Sequence, residues 1–244
     1  MAPSGTVRQT LRGGGPHNAR CMTDVHVFAD EAGTLVFSPK DRSRYWILTT
    51  VTVSDWSIGD ALLSLRRMLA WEGVATHPEF RASEEQQAVR DKVYATLQGL
   101  VFRVDATVFE KRKVQPHIAR RSLYFYQLAW YYHLRHLIPS IAPPGTRLLV
   151  LAATIGERKS KQQSFGDAVR DVVRQVAPGR DARCAFWMAR TDPCLWLADY
   201  CSWAIQRKWE HKWQGAADDR SHRLVSQHIR SEFDMFSRSA QLYY

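Results

Sequence analysis

The sequence lacks any apolar run of the roughly 18 residues that a membrane-spanning helix needs. The longest candidates, such as Leu195 to Ile205, are too short. The first 20 residues carry arginines but no apolar segment, so we expect no secretory signal. The sequence therefore predicts a protein with no membrane partner.

Cysteines are few and are not paired in sequence. No two of them have the Cys-x-x-Cys spacing that is typical of metal or redox sites. In a chain of 244 residues such cysteines are typical of reduced thiols in a reducing compartment, which predicts the cytoplasm. The four are Cys21, Cys184, Cys194 and Cys201.

Three motifs of common enzyme classes are also absent. The sequence contains no Gly-x-x-x-x-Gly-Lys loop, no Gly-x-Gly-x-x-Gly run and no Gly-x-Ser-x-Gly turn. Nucleotide hydrolysis by a phosphate-binding loop and acyl transfer by a serine triad therefore have no support in the sequence.

What the chain has in excess is positive charge. It holds 34 Lys and Arg against 24 Asp and Glu, which gives a net charge of +10 at pH 7 and an isoelectric point near 9.7. A balance of this kind favours acidic partners, with nucleic acid first and anionic membrane second.

The chain divides into a short lead and one large domain. Residues 1–22 are rich in Gly, Pro, Ser and Arg and have no strand or helix period, so we predict a flexible basic lead. Hydrophobic residues make up 45% of the whole chain, which is ample for the core of a single domain at residues 23–244.

Strand and helix patterns alternate along this domain. Alternating or β-branched segments predict strands, the first of which ends at the acidic turn Asp30 to Gly33. Helical spacing of apolar residues predicts the segments between them. Strands are expected up to Asp30 and at 45–53, 101–109, 148–152 and 182–188, and helices at 56–72, 84–100, 122–138, 165–176 and from Pro193. The pattern predicts an α/β fold with a mixed sheet covered by helices.

Two aspartates stand out within these elements. Asp199 is the only charged residue between Cys194 and Ile205, and a lone carboxylate on an apolar helix is costly to bury without a partner. Asp30 ends a strand at a glycine-containing turn, a place where sheet enzymes present reactive groups. Each also has an ordinary structural explanation, as a hydrogen-bonded Asp or a turn-forming Asp.

The segments around these aspartates carry a family resemblance. Phe28-Ala29-Asp30-Glu31-Ala32-Gly33 and Leu195-Trp196-Leu197-Ala198-Asp199-Tyr200 resemble the two hallmarks of the domain-of-unknown-function 3800 family. The resemblance extends from about Asp24 to Phe236, and it departs from the family at Ala32, where Ser is usual.

The resemblance implies a ribonuclease-H-like fold in which Asp30 and Asp199 are ligands of Mg²⁺ or Mn²⁺. It implies hydrolysis of phosphodiesters in DNA or RNA, in families that often accompany mobile elements or phage defence. A third acid is expected. Glu79, in His77-Pro78-Glu79-Phe80-Arg81, resembles a mid-chain acidic motif of the family, and Glu31 and Glu157 are the competing candidates.

Clusters of basic residues could bind the phosphates of a nucleic acid. An equally simple interpretation of each cluster is a solvated face. The candidates are Lys111, Arg112, Lys113, Arg158, Lys159, Lys161, Arg207 and Lys208.

A second class of function fits the same sequence. The protein could retain the fold without catalysis and bind nucleic acid, a protein partner or a second copy of itself, because a fold does not determine a function. The acids favour catalysis, whereas the basic clusters suit both interpretations.

Overall fold

The computed structural model of the protein describes residues 24–156, 158–214 and 219–244, and for 212–214 it describes the backbone alone. The predicted lead at 1–22 and the candidate acid Glu157 lie outside the described residues. Among the described residues, no helix is both long enough and apolar enough to cross a membrane.

Six strands and seven α-helices make up the described structure. The strands are β1 Asp24–Ala32, β2 Tyr45–Val53, β3 Arg103–Glu110, β4 Arg147–Ala153, β5 Asp181–Trp187 and β6 Ile229–Asp234. The helices are α1 Ile58–Trp71, α2 Gln87–Gln98, α3 Pro116–Ala119, α4 Ser122–Ile141, α5 Lys159–Val176, α6 Pro193–Gln214 and α7 Arg220–Val225.

The strands form one mixed sheet in the order β5-β4-β1-β2-β3-β6. The first three strands along the chain are antiparallel neighbours, while β4 runs parallel to β1, β5 parallel to β4 and β6 parallel to β3. This is the ribonuclease-H-like α/β arrangement that was expected, with β1 near the middle of the sheet.

Side-chain alternation along β1 gives the two faces of the sheet different contacts. Phe28 and Ala32 pack in a core with α1, α2 and α6. Val27 and Ala29 pack in a second core with α4 and α5. Because successive side chains of a strand point to opposite faces, Asp30 belongs to the α6 face and Glu31 to the α4 face.

Helix α6 begins as the sequence predicts. The Asp192 carboxylate accepts a hydrogen bond from the backbone N–H of Cys194 at 2.8 Å, and Pro193 is the first helical residue. A capping carboxylate satisfies an otherwise unpaired N–H, and proline has no N–H to lose at this position. The start of the helix that carries Asp199 is therefore fixed by local sequence.

The sequence patterns did not predict β6 or the short helices α3 and α7. Strand β6 has the sequence Ile-Arg-Ser-Glu-Phe-Asp and, among the described strands, pairs with β3 alone at one edge of the sheet. Edge strands tolerate charged residues on both faces, and this weakens the alternation that reveals a strand. The strand forms because β3 supplies its hydrogen-bonding partners.

Gly33 turns the chain directly after β1. Its φ is +90°, and a Cβ at this position would lie 2.3 Å from the carbonyl oxygen of Tyr45. Both the left-handed backbone and the close approach require glycine. The turn therefore fixes how the end of β1, with Asp30, enters the loop to β2.

We expect Gly33→Ala to destabilise the fold by more than the ~1–3 kcal/mol that strained backbone alone costs. Gly73→Ala is the matched control, because Gly73 also has a positive φ of +70°, but a Cβ at that position would meet no atom within 4 Å. Urea unfolding of both variants gives the two losses in the free energy of unfolding. Equal losses would contradict the steric role of the Tyr45 carbonyl.

Candidate functional site

Asp30 and Asp199 meet on one face of the sheet. Helix α6 packs over β1 and β2, and this packing brings the carboxyl groups of Asp199 and Asp30 close enough to shift each other's pKa. Both side chains are half-buried, so the pair stays reachable from solvent. The two acids that the sequence singled out therefore form one site.

The surroundings of the pair resist the presence of two negative charges. Burial raises the pKa of Asp30 well above its usual value, and the neighbouring Asp199 carboxylate raises it further. Burial also raises the pKa of Asp199. Two carboxyls this close share a proton unless a positive charge takes its place.

The loop between α1 and α2 closes over Asp199. The backbone N–H of Ala82 donates a hydrogen bond to Oδ2 of Asp199 at 2.7 Å. Phe80 and Ala82 are buried, and the Phe80 ring packs edge-on against Trp196 of α6, with 5.7 Å between ring centroids. The loop therefore orients the Asp199 carboxylate.

Arg81 brings a positive charge to the pair. Its guanidinium lowers the pKa of both Asp30 and Asp199, against the effect of burial. It forms an ion pair with Glu84 at 3.0 Å, and its side chain is 53% exposed. The arginine therefore stands beside the two aspartates and faces solvent.

Glu31 lies on the opposite face of the sheet from the pair. Its Oε1 accepts a hydrogen bond from the hydroxyl of Tyr126 in α4 at 2.7 Å, and burial raises its pKa to about 7. Glu31 was expected to be a further metal ligand beside Asp30. The alternation of β1 directs its side chain toward α4 instead, so this expectation is wrong.

Glu79 does not join the pair in the structure. It lies in the α1–α2 loop, and the charged groups of this loop that most affect the pKa of Asp199 are Arg81 and Glu84. Within the described residues, no group of three or more His, Cys, Asp or Glu side chains has an arrangement that could hold a metal.

Oxygen atoms near the two aspartates nevertheless suit a divalent cation. Thr49 of β2 is the cross-strand partner of Asp30 and shares its face of the sheet. The Thr49 hydroxyl is fully buried and makes no hydrogen bond among the described residues, and the same holds for the hydroxyl of Ser202 in α6.

An unsatisfied buried hydroxyl is costly unless a ligand or water completes it. Mg²⁺ is commonly held by one or two carboxylates, while waters and substrate phosphates fill the other positions. The residues present fit a cation bound by Asp30 and Asp199 in that way.

The basic cluster at Lys111, Arg112 and Lys113 is used inside the protein. The ammonium of Lys111 is buried and bonds the carboxylate of Asp41 at 2.5 Å, and burial lowers its pKa. Because its donors are enclosed by the chain, Lys111 does not face a nucleic acid, contrary to the expectation from the charge run.

The two residues after Lys111 also have partners within the chain. Arg112 donates a hydrogen bond to the backbone carbonyl of Tyr244 at 2.7 Å. Lys113 forms an ion pair with Glu110 at 3.1 Å. Both side chains are half-buried. They hold the C-terminal residues and the end of β3 together.

The cluster at Arg158, Lys159 and Lys161 is exposed and lies close to the pair in topology. It begins α5, just after β4, and Ala152 of β4 is the register partner of Ala29 in β1. Since β1 and β4 are parallel, their carboxyl ends lie at the same end of the sheet. These three cations therefore lie at the same end of the sheet as Asp30.

Arg207 and Lys208 continue the helix that carries Asp199. The ammonium of Lys208 forms an ion pair with Glu232 of β6 at 2.8 Å. The guanidinium of Arg207 lies 5.5 Å from the centre of the Trp203 ring. Both side chains are half-buried and contribute contacts within the domain.

Three features of this site were not predicted from sequence: the Ala82 N–H, the Arg81 guanidinium and the Thr49 hydroxyl. Thr49 is recognisable in the sequence as a polar residue in the centre of a mainly apolar strand. Ala82 is not recognisable, since a backbone N–H donor has no signature in the side-chain pattern.

Comparisons with known proteins give no further constraint on the site. No model of a known protein family matches the chain, and no curated protein matches it.

We expect Asp30→Asn to stabilise the metal-free protein at pH 8 by about 1–2 kcal/mol. Burial and the Asp199 carboxylate raise the folded-state pKa of Asp30 well above the unfolded value of about 3.9, and burial raises that of Asp199 to about 6. The native state therefore loses stability as the pH rises from about 4 through 6 and stays penalised above it. An amide at position 30 removes one of the two repelling charges.

Urea unfolding with a chelator, at pH 4 and pH 8, measures this effect. Asp171→Asn is the control, because Asp171 is exposed and its ion pair with Arg174 is a surface contact. A stabilisation by Asp30→Asn that is equal at both pH values, or a loss at pH 8, would contradict mutual repulsion within the pair.

Proposed function

We propose that the protein is a metal-dependent phosphodiester hydrolase that cuts nucleic acid and uses Mg²⁺ or Mn²⁺ held by Asp30 and Asp199. The observation that carries the proposal is the meeting of these two carboxyls at the carboxyl end of a central strand. A pair of this kind is unfavourable without a positive charge and suits one well.

The residues of the chain have separate tasks in such a reaction. Asp30 and Asp199 hold the cation, and the N–H of Ala82 fixes Oδ2 of Asp199 so that the carboxylate keeps one orientation. The Thr49 hydroxyl can hydrogen-bond a water in the site. A bound divalent cation supplies an activated water at neutral pH and stabilises the leaving oxygen.

Charge and topology favour a nucleic acid as the substrate. The net charge is +10, and the exposed cations Arg158, Lys159 and Lys161 lie at the same end of the sheet as Asp30. Phosphate contacts of this kind position a strand without reading its sequence. The resemblance to the domain-of-unknown-function 3800 family supports the same class of reaction.

Purified protein should cleave single- or double-stranded DNA or RNA in the presence of Mg²⁺ or Mn²⁺. We expect Asp30→Asn and Asp199→Asn each to lower the rate by about 100-fold or more, because metal stabilisation of the transition state amounts to several kcal/mol. Gel assays of labelled substrates of all four kinds measure the rate. Asp171→Asn, which removes an exposed carboxylate on α5, should keep it.

Two results would overturn this proposal. One is cleavage that persists after Asp199→Asn. The other is a Mn²⁺ affinity, measured by calorimetry, that is the same in wild-type protein and in Asp30→Asn. The second measurement does not depend on finding the right substrate.

Nucleic-acid binding without catalysis is the second candidate. The absence, within the described residues, of a third acidic ligand at the pair favours it. In this case the aspartates and Arg81 take no part in the function, and the basic surface alone provides it. A protein partner or a second copy of the chain could then supply the activity.

In either case we expect the logarithm of the binding constant for nucleic acid to fall linearly with the logarithm of the salt concentration, because bound phosphates release counterions. Charge reversal at Arg158 and Lys159 should lower the slope by about 0.7–0.9 for each phosphate that the variant no longer neutralises. Fluorescence anisotropy of a labelled oligonucleotide with Asp199→Asn protein measures both slopes without cleavage.

Arg174→Glu is the matched control for this charge reversal. It changes charge on the same helix, about 20 Å from the cluster along the axis of α5. A flat salt response of the unmodified protein would contradict the phosphate-binding role of the basic surface.

A further inference from the structure

Arg81 is held at the site by its two neighbours in the chain. Phe80 is buried against Trp196 of α6, and the N–H of Ala82 bonds Asp199 at 2.7 Å. Both neighbours are buried, whereas the Arg81 side chain between them is 53% exposed. The backbone is fixed, while the guanidinium is reachable from solvent.

The guanidinium of Arg81 can exchange its present partner, Glu84, for another anion. The ion pair with Glu84 at 3.0 Å joins two half-exposed side chains, and Glu84 also lies 3.6 Å from His77. A solvent-exposed pair of this kind contributes little free energy. An incoming phosphate can therefore replace Glu84 at small cost.

We propose that Arg81 is the phosphate clamp of this site, and that its guanidinium pairs with the phosphodiester of a nucleic acid that is bound over Asp30 and Asp199. This inference rests on the proposed function. Guanidinium presents donors in a planar fork that matches two phosphate oxygens, and it keeps its charge at every physiological pH.

The site needs such a group on grounds of charge. Two carboxylates at its base repel a phosphodiester, and one bound divalent cation only balances them. Arg81 supplies a further positive charge on the solvent side, where the substrate arrives. The exposed cluster at 158–161 lies at the same end of the sheet but on a different element, so it can contact other phosphates of the nucleic-acid strand.

A purely structural Arg81, which only neutralises the aspartates, makes a different prediction. Loss of its charge would then alter metal binding and stability but not the affinity for a nucleic acid. A clamp gives two changes of opposite sign, because the same charge repels the cation and attracts the phosphate. The two measurements together therefore separate the roles.

We expect Arg81→Gln to weaken binding of a short single-stranded DNA or RNA oligonucleotide by about 10-fold. The same variant should bind Mn²⁺ about two- to five-fold more tightly, since a nearby positive charge is removed. Anisotropy and calorimetry measure the two affinities. Arg81→Lys should recover part of the oligonucleotide affinity, because it keeps the charge but loses the fork.

Arg67→Gln is the control, since Arg67 is an exposed arginine of α1 outside the site. Unchanged oligonucleotide affinity in Arg81→Gln would overturn the clamp, as would weaker Mn²⁺ binding. Failure of the proposed hydrolysis has a separate signature, namely wild-type protein that binds both ligands but leaves every substrate intact. Unfolding of each variant in urea confirms that the fold is kept.

Discussion

The contact between two carboxyl groups, one from a strand and one from a helix, is the constraint on which the rest of the site depends. Water screens such a pair at a surface, but here packing removes much of that water and raises both pKa values. The N–H of Ala82 donates a hydrogen bond to Asp199, and the positive charge of Arg81 lowers both pKa values. The α1–α2 loop thus supplies the donor and the positive charge beside the pair.

The central sheet decides which acids can cooperate. Asp30 and Glu31 are adjacent in sequence, yet the pleat of β1 sends them into two separate cores. One faces α6 and solvent, and the other is held by the Tyr126 hydroxyl. Two neighbouring carboxyls therefore have different environments, and only the first contributes to the candidate metal site.

Much of the fold followed from sequence periodicity. The bounds of β2 were predicted to the residue, because its β-branched and aromatic run is continuous, and the Asp192-Pro193 start of α6 was predicted from capping. Strand β6 was missed because its formation depends on a partner strand distant in sequence. Convergence of Asp30 with Asp199 came from a family resemblance, since no spacing rule relates the two positions.

Charge runs were the weakest guide to the site. A run such as Lys111 to Lys113 is typical of a solvated face, but the loop after β1 folds over Lys111 and supplies Asp41 and two carbonyls to its ammonium. The run at 158–161 has a similar composition and is exposed. The charge of such a cluster is visible in the sequence, whereas tertiary packing decides whether it faces inward.

The position of β1 in the sheet order has a consequence for the dynamics of the site. Strand β1 has paired neighbours on both sides, and further strands beyond them separate it from the sheet edges. Its amides therefore exchange with solvent only in large opening events. The loop that carries Arg81 has no ladder, and it is held instead by the Ala82 hydrogen bond and by the packing of Phe80 against Trp196. The base of the site is thus held by the whole sheet, so Asp30 keeps its place when a ligand binds.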